Sequence, residues 1–382
     1  MKLLKLSLLF LFFASQVSAQ NSNSYVVAKP KVSMIPDSVT YTTDAMAVYI
    51  NSHFNSKTEK VRAIYTWVTI NIRYDVDNMY AINFYVKRDE IINKALKTRK
   101  GICSNYAALF DDLCNKTGLK SYMIEGYTKQ KGFVDYLPHA WCAALIDSTW
   151  YMFDPTWGAG YVSKGKFYPE VNYKYFKVQP SELIKTHMPF DYLWQFSYYP
   201  VTPQQFYDDS TQEYRSAEYF NFPDSIKRYD RLPVNQQLNE TCYRIEKFGI
   251  KNSLIYDRLQ HLRHEIETMK QNANIFLYNS AGVDFNEGIN YYNVFIEYRN
   301  KLFMPMKSDV EIKRMIDVAS NKLHEAKFKV GKIKDPDDNI SSLMESFNKL
   351  IDQAIIQVKE QEDFVGKYLR KSPPERKRMF YK

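Results

Sequence analysis

The sequence predicts an α+β chain, a mixed helix-and-sheet domain followed by a mainly α-helical C-terminal region. Three observations carry this. From residue 43 to Gly118, apolar residues recur at three- and four-residue spacing. Beyond Gly118 the pattern alternates, as in half-buried strands. From about residue 232 the helical period returns and glycines become few. With 382 residues, 45% hydrophobic and 25% charged, the composition is globular and the length allows roughly two domains.

The first nineteen residues read as a signal peptide. Lys2 and Lys5 give a basic start, residues 8–14 form an unbroken apolar run, and Val17-Ser18-Ala19 ends as a signal-peptidase site does. The mature chain is therefore expected to be exported, periplasmic or secreted. The apolar run is too short to span a bilayer comfortably, and no later segment approaches the length of a transmembrane helix, so no integral membrane segment is expected after cleavage. Residues 20–42, with prolines and polar residues, read as an irregular lead-in.

Residues 43–54 predict a short helix with Ala45, Val48 and Tyr49 turned inward. A second helix from residue 57 shows one buried face through Ala63, Ile64, Trp67, Val68 and Asn71. Residues 89–97 make a third. From Cys103, the positions Tyr106, Ala107, Phe110, Leu113 and Cys114 mark an apolar face, and Gly118 is placed to end that helix. Residues 121–128, 140–146 and 149–153 read as strands, with Asp147-Ser148 as the turn between the last two. Residues 158–228 are aromatic and punctuated by Pro169, Pro180, Pro189, Pro200 and Pro203, which suggests a loop-rich end to the first domain. Helical pattern then dominates, strongest over 235–248, 254–271, 309–328 and 341–368, while the Tyr/Phe-rich stretch 275–306 fits strand or helix. The expected division is a first domain over 43–200, a linker over 201–231, a helical domain over 232–369, and a solvated basic tail over 370–382.

The net charge is +9, or +7 once Lys2 and Lys5 leave with the leader. A basic balance invites a nucleic-acid reading, but no recognition motif is present and export removes the chain from most nucleic acid. Acidic surfaces, lipid headgroups or cell-wall polymers are better candidate partners, and lysines that only keep the protein soluble are the simplest account. The four cysteines, Cys103, Cys114, Cys142 and Cys242, allow three complete pairings in an oxidising compartment. Cys103–Cys114 is disfavoured, because residues that far apart in one helix are about 16 Å distant and a disulfide needs Cα atoms within about 7 Å.

Cys103 follows Gly101-Ile102 where a loop enters a helix. A cysteine is nucleophilic as thiolate, which a helix N-terminus and a nearby imidazolium favour. The amides of that first turn also serve a developing oxyanion. His139, at the start of the strand through Trp141, is the candidate base, and Asp154, at the end of the next strand, its partner. If Asp147-Ser148 is a two-residue turn, Ile146 faces Thr149 and Trp141 faces Asp154. His139 then lies on the face of Asp154 at a diagonal distance of about 7–8 Å between backbones. The same residues also read as a buried structural cysteine, a surface histidine and an aspartate that caps its loop.

The stretch Arg99-Lys100-Gly101-Ile102-Cys103-Ser104-Asn105-Tyr106-Ala107 resembles the nucleophile motif of the transglutaminase-like superfamily. His139-Ala140-Trp141 and Asp154-Pro155-Thr156-Trp157-Gly158-Ala159-Gly160 resemble its histidine and aspartate motifs, and Ala63-Ile64-Tyr65-Thr66-Trp67-Val68 the helix before its core. Thr186-His187-Met188-Pro189 with Trp194-Gln195 is similar to a later motif of the kyphoscoliosis-peptidase branch. The resemblance covers residues 43–200 and implies a papain-like core with the nucleophile helix packed on an antiparallel sheet. It also implies Cys103 as nucleophile, His139 as general base and acid, and Asp154 as the residue orienting the imidazole. The implied chemistry is acyl transfer through a thioester on a protein or peptide substrate, resolved by water or an amine, without metal or organic cofactor. Position 105 departs from the pattern: Asn stands where many relatives have Gly, a bulkier neighbour of the nucleophile that leaves open its effect on substrate access or activity.

Trp157, beside the aspartate motif, is expected at the cleft rim as a substrate-binding residue, while Trp67, Trp141 and Tyr106 are expected in the core. His261, His264 and Glu265 lie three and four apart on a helix but lack a third metal ligand, so a solvated face is expected. No catalytic role is expected of His187. Three functions follow: a peptidase or amide hydrolase, a protein-crosslinking transglutaminase, or a non-catalytic binding module on the same fold.

Overall fold

Hydrogen-bonding side chains at the helix starts set the N-terminal layer. The computed structural model describes residues 35–80 and 86–380; the predicted leader, residues 1–19, lies outside them, as does the lead-in up to residue 34. Thr42 caps α1 (Thr43–His53), and Ser56 forms a reciprocal capping box with Glu59 at the start of α2 (Lys57–Asn71). The buried face of α1 is Thr43, Met46, Ala47 and Ile50; Val48, expected inward, is exposed. Met46 and Ile50 share a core cluster with the helix over Cys103–Lys116, and the stripe they define is one position off the one read from the sequence.

After α2, the short β1 (Arg73–Tyr74) runs parallel to β2 (Lys100–Gly101), which follows α3 (Arg88–Thr98). This pairing ties the residues just ahead of Cys103 to the end of α2. The central helix α4 (Cys103–Lys116) is buried on almost every side, including Ala108, Leu109 and Asp111. It packs on a four-stranded antiparallel sheet of order β5-β4-β3-β8, made of β3 (Ser121–Gln130), β4 (Phe133–Ile146), β5 (Thr149–Phe153) and β8 (His187–Pro189). The hairpin β6 (Gly160–Ser163) and β7 (Lys166–Pro169) precedes β8, as does α5 (Pro180–Leu183). Tyr65, Tyr106, Phe110, Trp141 and Phe153 are among the largest fully buried side chains of the core. Each contributes on the order of 2–3 kcal/mol of burial.

Asp147 and Ser148 both have positive φ (48° and 66°), the two-residue turn whose twist suits a hairpin. Ile146 faces Thr149 and Cys142 faces Phe153, the register expected from that turn. His139 does not open its strand, as the sequence suggested: β4 begins six residues earlier, at Phe133. Pro138 pairs with Tyr127 next to a register shift between Tyr127 and Lys129. Proline argues against a central strand, and a bulge is where one is tolerated.

Residues 201–231, expected as a linker, are packed instead. Here α6 (Pro203–Tyr207) buries Phe206 and α7 (Phe222–Tyr229) buries Ile226. The basic tail is also not free. Near the C-terminus the short α12 (Pro373–Arg378) places Arg376 in a two-bond pair with Asp309, and Phe380 packs on Tyr368.

The helical region comprises α8 (Val234–Phe248), α9 (Ser253–Asn300), α10 (Asp309–Val330) and α11 (Asp338–Leu369). The stretch 275–300 is helix, continuous with the start of α9, so this single helix of 48 residues is about 72 Å long. Its first turns bury Ile255, Leu259 and Leu262 with Tyr127, Met188 and Phe206 of the first domain. Its far end buries Phe295 and Tyr298 with Ile316, Leu323 and Val358 of α10 and α11. Arg244 of α8 locks the junction, donating Nε and a terminal nitrogen to the two oxygens of Asp191 at 2.7 Å each, both side chains buried.

Candidate active site

Cys103 is the first residue of α4, 8% exposed, at a helix start where the intrahelical ladder begins only with the Asn105 and Tyr106 N–H groups on Ile102 C=O. Asn105 holds this helix start in place. Its Oδ1 accepts from Ile102 N–H (2.9 Å), and its Nδ2 donates to Ile91 C=O on α3 (2.9 Å). Asn105 is itself buried and is not among the residues lining the cavity beside Cys103. The side chain turns under the loop, where two backbone groups hold it.

That cavity has a volume of about 190 Å³ and is lined by Cys103, His139, Met123, Pro138, Arg88 and Glu125, among others. Most of its lining residues are apolar, and Arg88 and Glu125 bring charge to it. Arg88 also pairs with buried Asp111. Glu125 receives Arg258 from α9 at 2.6 Å, so the helical region holds one of the lining residues from behind.

Behind His139 lies Asp154, fully buried. Its Oδ2 accepts from His139 Nε2 at 2.8 Å, which leaves Nδ1 as the ring nitrogen available to the thiol. Its Oδ1 accepts from the backbone N–H groups of Thr156 (2.8 Å) and Trp157 (3.0 Å). A second imidazole reaches the same Oδ2: His187 Nε2, at 3.1 Å. His187 arrives on β8, which pairs with β3 on the side opposite β4. Between them, Gly126 faces both His139 and Pro189. A Cβ at Gly126 would lie 2.1 Å from Met188 O and 2.6 Å from Trp141 Cη2, so only glycine lets the three strands close around the cluster.

Burial alone pushes His139 down, but the Asp154 carboxylate, and after it Cys103, pull it up to about 10. Burial would raise Asp154, and His139 and then His187 hold it well below the usual carboxylate range. For His187, burial outweighs Asp154 and keeps it below its ordinary value, hence neutral. Burial also pushes the thiols of Cys114 and Cys142 far up and that of Cys242 up. All four cysteines are free, so none of the pairings open to an exported chain is formed.

Trp157 is not at the cavity rim. Its ring lies 4.6 Å edge-on to His187 and 5.7 Å from His139, and it is absent from the cavity lining, because its backbone N–H is committed to Asp154. The ligand atoms of His139, Asp154 and His187 lie within 4.8 Å of one another, the only such group of His, Cys, Asp or Glu found among the described residues. A metal ion there would displace both hydrogen bonds to Oδ2. His261 and His264 are on α9, outside that group. Sequence reasoning placed His187 in a family-like motif but gave it no role, and it missed Arg258. A three-residue strand is too short for periodicity to register, and a helix-borne arginine carries no mark of the carboxylate it meets.

Residues 44–155 match the model of the transglutaminase-like superfamily. The chain is 31% identical to the kyphoscoliosis peptidase of Mus musculus over 175 residues, covering 44% of this chain and 26% of that protein. It is also 31% identical to the Homo sapiens kyphoscoliosis peptidase over 171 residues, covering 43% and 25%. A solved structure of a TGase aligns over 42% of this chain and 40% of its own, at 19% identity and a TM-score of 0.25. The chain thus spans about a quarter of the length of the curated relatives it matches. The nucleophile and histidine motifs and the start of the aspartate motif fall inside residues 44–155, the stretch of this chain that is similar to the transglutaminase-like superfamily.

Proposed function

We propose that this chain is an exported cysteine-dependent acyl-transfer enzyme, a peptidase or amide hydrolase with a protein or peptide substrate of the cell envelope. The observation that carries the reading is the hydrogen bond of His139 to a buried carboxylate while the ring lines one cavity with Cys103. In the proposed reaction the Cys103 proton passes to His139, and the sulfur attacks the substrate carbonyl. The oxyanion is met by backbone N–H groups at the start of α4. His139 gives its proton to the departing amine as the C–N bond breaks, leaving a thioester on Cys103. Water, deprotonated by His139, then attacks the thioester and releases the acid and the thiol. Asp154 holds the ring and stays ionised throughout. The basic, apolar first nineteen residues support export.

Iodoacetamide labelling, with the adduct located by mass spectrometry, tests this directly. Cys103 is expected to react fastest, and Cys103→Ala to abolish turnover while remaining folded. Equal labelling of the four cysteines in folded protein overturns the reading. A labelled primary amine offered with a glutamine-bearing protein separates crosslinking from hydrolysis, because both acceptors compete for one thioester. A Cys103→Ala chain that kept its cellular role would favour a binding module.

A further inference from the structure

The cluster behind the candidate nucleophile holds one histidine more than the proposed reaction uses. Asp154 Oδ1 is fixed by two backbone N–H groups, and Oδ2 is shared by His139 Nε2 at 2.8 Å and His187 Nε2 at 3.1 Å. The His187 side chain is fully buried, on a strand whose backbone is paired to β3 at residues 187–189. On its other side, His187 Nδ1 lies 2.8 Å from Thr186 Oγ1. An ionised carboxylate at Nε2 requires a proton there, so a neutral ring must accept at Nδ1, and the Thr186 hydroxyl donates to it. The alternative acceptor for that hydroxyl, Leu183 C=O, is farther, at 3.3 Å. The rings of Trp141, Trp157 and Tyr175 enclose the imidazole, and Asp154, His139 and Asp135 are the titratable groups that act on it.

We infer that His187 is a positioning residue for the Cys103–His139 pair: a neutral, tautomer-locked donor that fixes the Asp154 carboxylate, with Thr186 as the lock. The inference rests on the acyl-transfer reading and goes beyond it. A cation at position 187 would compete with His139 for one oxygen. A neutral donor fixes the carboxylate without lowering its hold on the imidazolium as a full charge does. Removing the donor leaves Oδ2 held from one side only, and the orientation of His139 loosens with it.

The test uses the full mature chain and the rate of Cys103 carbamidomethylation by iodoacetamide between pH 5 and 9, read on the Cys103 peptide, with thermal melting in parallel. His187→Phe keeps an aromatic ring and loses the donor; it is expected to slow Cys103 roughly 10-fold at pH 7 and to alter the shape of the pH profile. His187→Gln places an N–H near the position of Nε2 and is expected to recover to within about 3-fold of wild type. Thr186→Val frees the tautomer and is expected to fall between them. A folded His187→Phe protein with wild-type rate and profile overturns the inference. So does a folded His187→Gln protein as slow as the Phe variant, since packing alone would then explain the residue. If His187→Phe fails to fold, the Gln and Val variants decide by the same criteria. Failure of wild-type Cys103 to label selectively would instead sink the acyl-transfer reading, so the two failures are distinct.

Discussion

Asn105 occupies the space that a side chain on residue 101 would need: a Cβ on Gly101 would lie 2.4 Å from Asn105 Cβ. The two residues bracket Cys103, and together they fix how the loop from β2 enters α4. Asn105→Ala removes an acceptor from Ile102 N–H and a donor from Ile91 C=O, and is expected to destabilise the fold by about 1–3 kcal/mol. Gly101→Ala is expected to destabilise by a similar amount or more, through overpacking. Urea melts of both variants check this; a pair of wild-type midpoints would show that the helix start is held by something else.

Asp154→Asn is expected to keep the fold and lower turnover by roughly 10²- to 10⁴-fold. An amide at this site puts an NH₂ against two of its four donors, so either both imidazoles or both backbone N–H groups lose their acceptor. Turnover on any substrate found for the wild type, or failing that the Cys103 labelling rate, measures it. Undiminished rates in Asp154→Asn would remove the carboxylate from the reaction.

The pH dependence of stability carries a sign. His139 is held above its ordinary value, up to about 10, so its contribution is complete below about 6.5 and is lost as pH rises toward 10. Asp154 is held down, so its contribution is present above the usual carboxylate range and is lost in acid. His187 is also held down; the unfolded chain takes up its proton first, so stability falls as pH drops below about 6.5. Wild type compared with His139→Gln is therefore expected to lose an advantage on the order of 1–3 kcal/mol between pH 7 and 10. Denaturant midpoints across that range test it, and parallel curves for the two proteins would contradict it.

Arg258 and Arg244 bind the helical region to the first domain for different ends. Arg244→Ala strands buried Asp191 and is expected to destabilise by roughly 3–5 kcal/mol. Arg258 meets Glu125 on the cavity wall with both side chains partly exposed. Arg258→Ala is expected to change stability by less than about 1 kcal/mol while raising KM with kcat nearly unchanged. Melting curves and steady-state kinetics together separate the two roles. A fall in kcat at constant KM for Arg258→Ala would place it closer to the chemistry than the wall.

Local signals were legible from one dimension. The hairpin of β4 and β5 follows from Asp147-Ser148, whose two positive φ values suit short polar residues, and its register carries His139 toward Asp154. The start of α4 follows from Gly101-Ile102 and the apolar period behind it. What was not legible depended on partners distant in sequence. Val48 is as apolar as its neighbours, and only the position of α4 decides that Ile50 goes inward instead. Pro138 disguised six residues of β4 because a bulge, invisible to alternation, accommodates it. The prolines of 200–233 read as a linker, although Val201, Phe206 and Ile226 are buried.

The sequence by itself determined the periodicities, the turn chemistry and the motif residues that assign the fold, because each depends on near neighbours along the chain. Only the tertiary structure decided which side chains meet across it: His187 on Asp154, Arg258 on Glu125, Asn105 beneath its own loop. Those pairings arise where strands and helices far apart in sequence are packed together, and a burial pattern specifies that an element packs, not which group it will face.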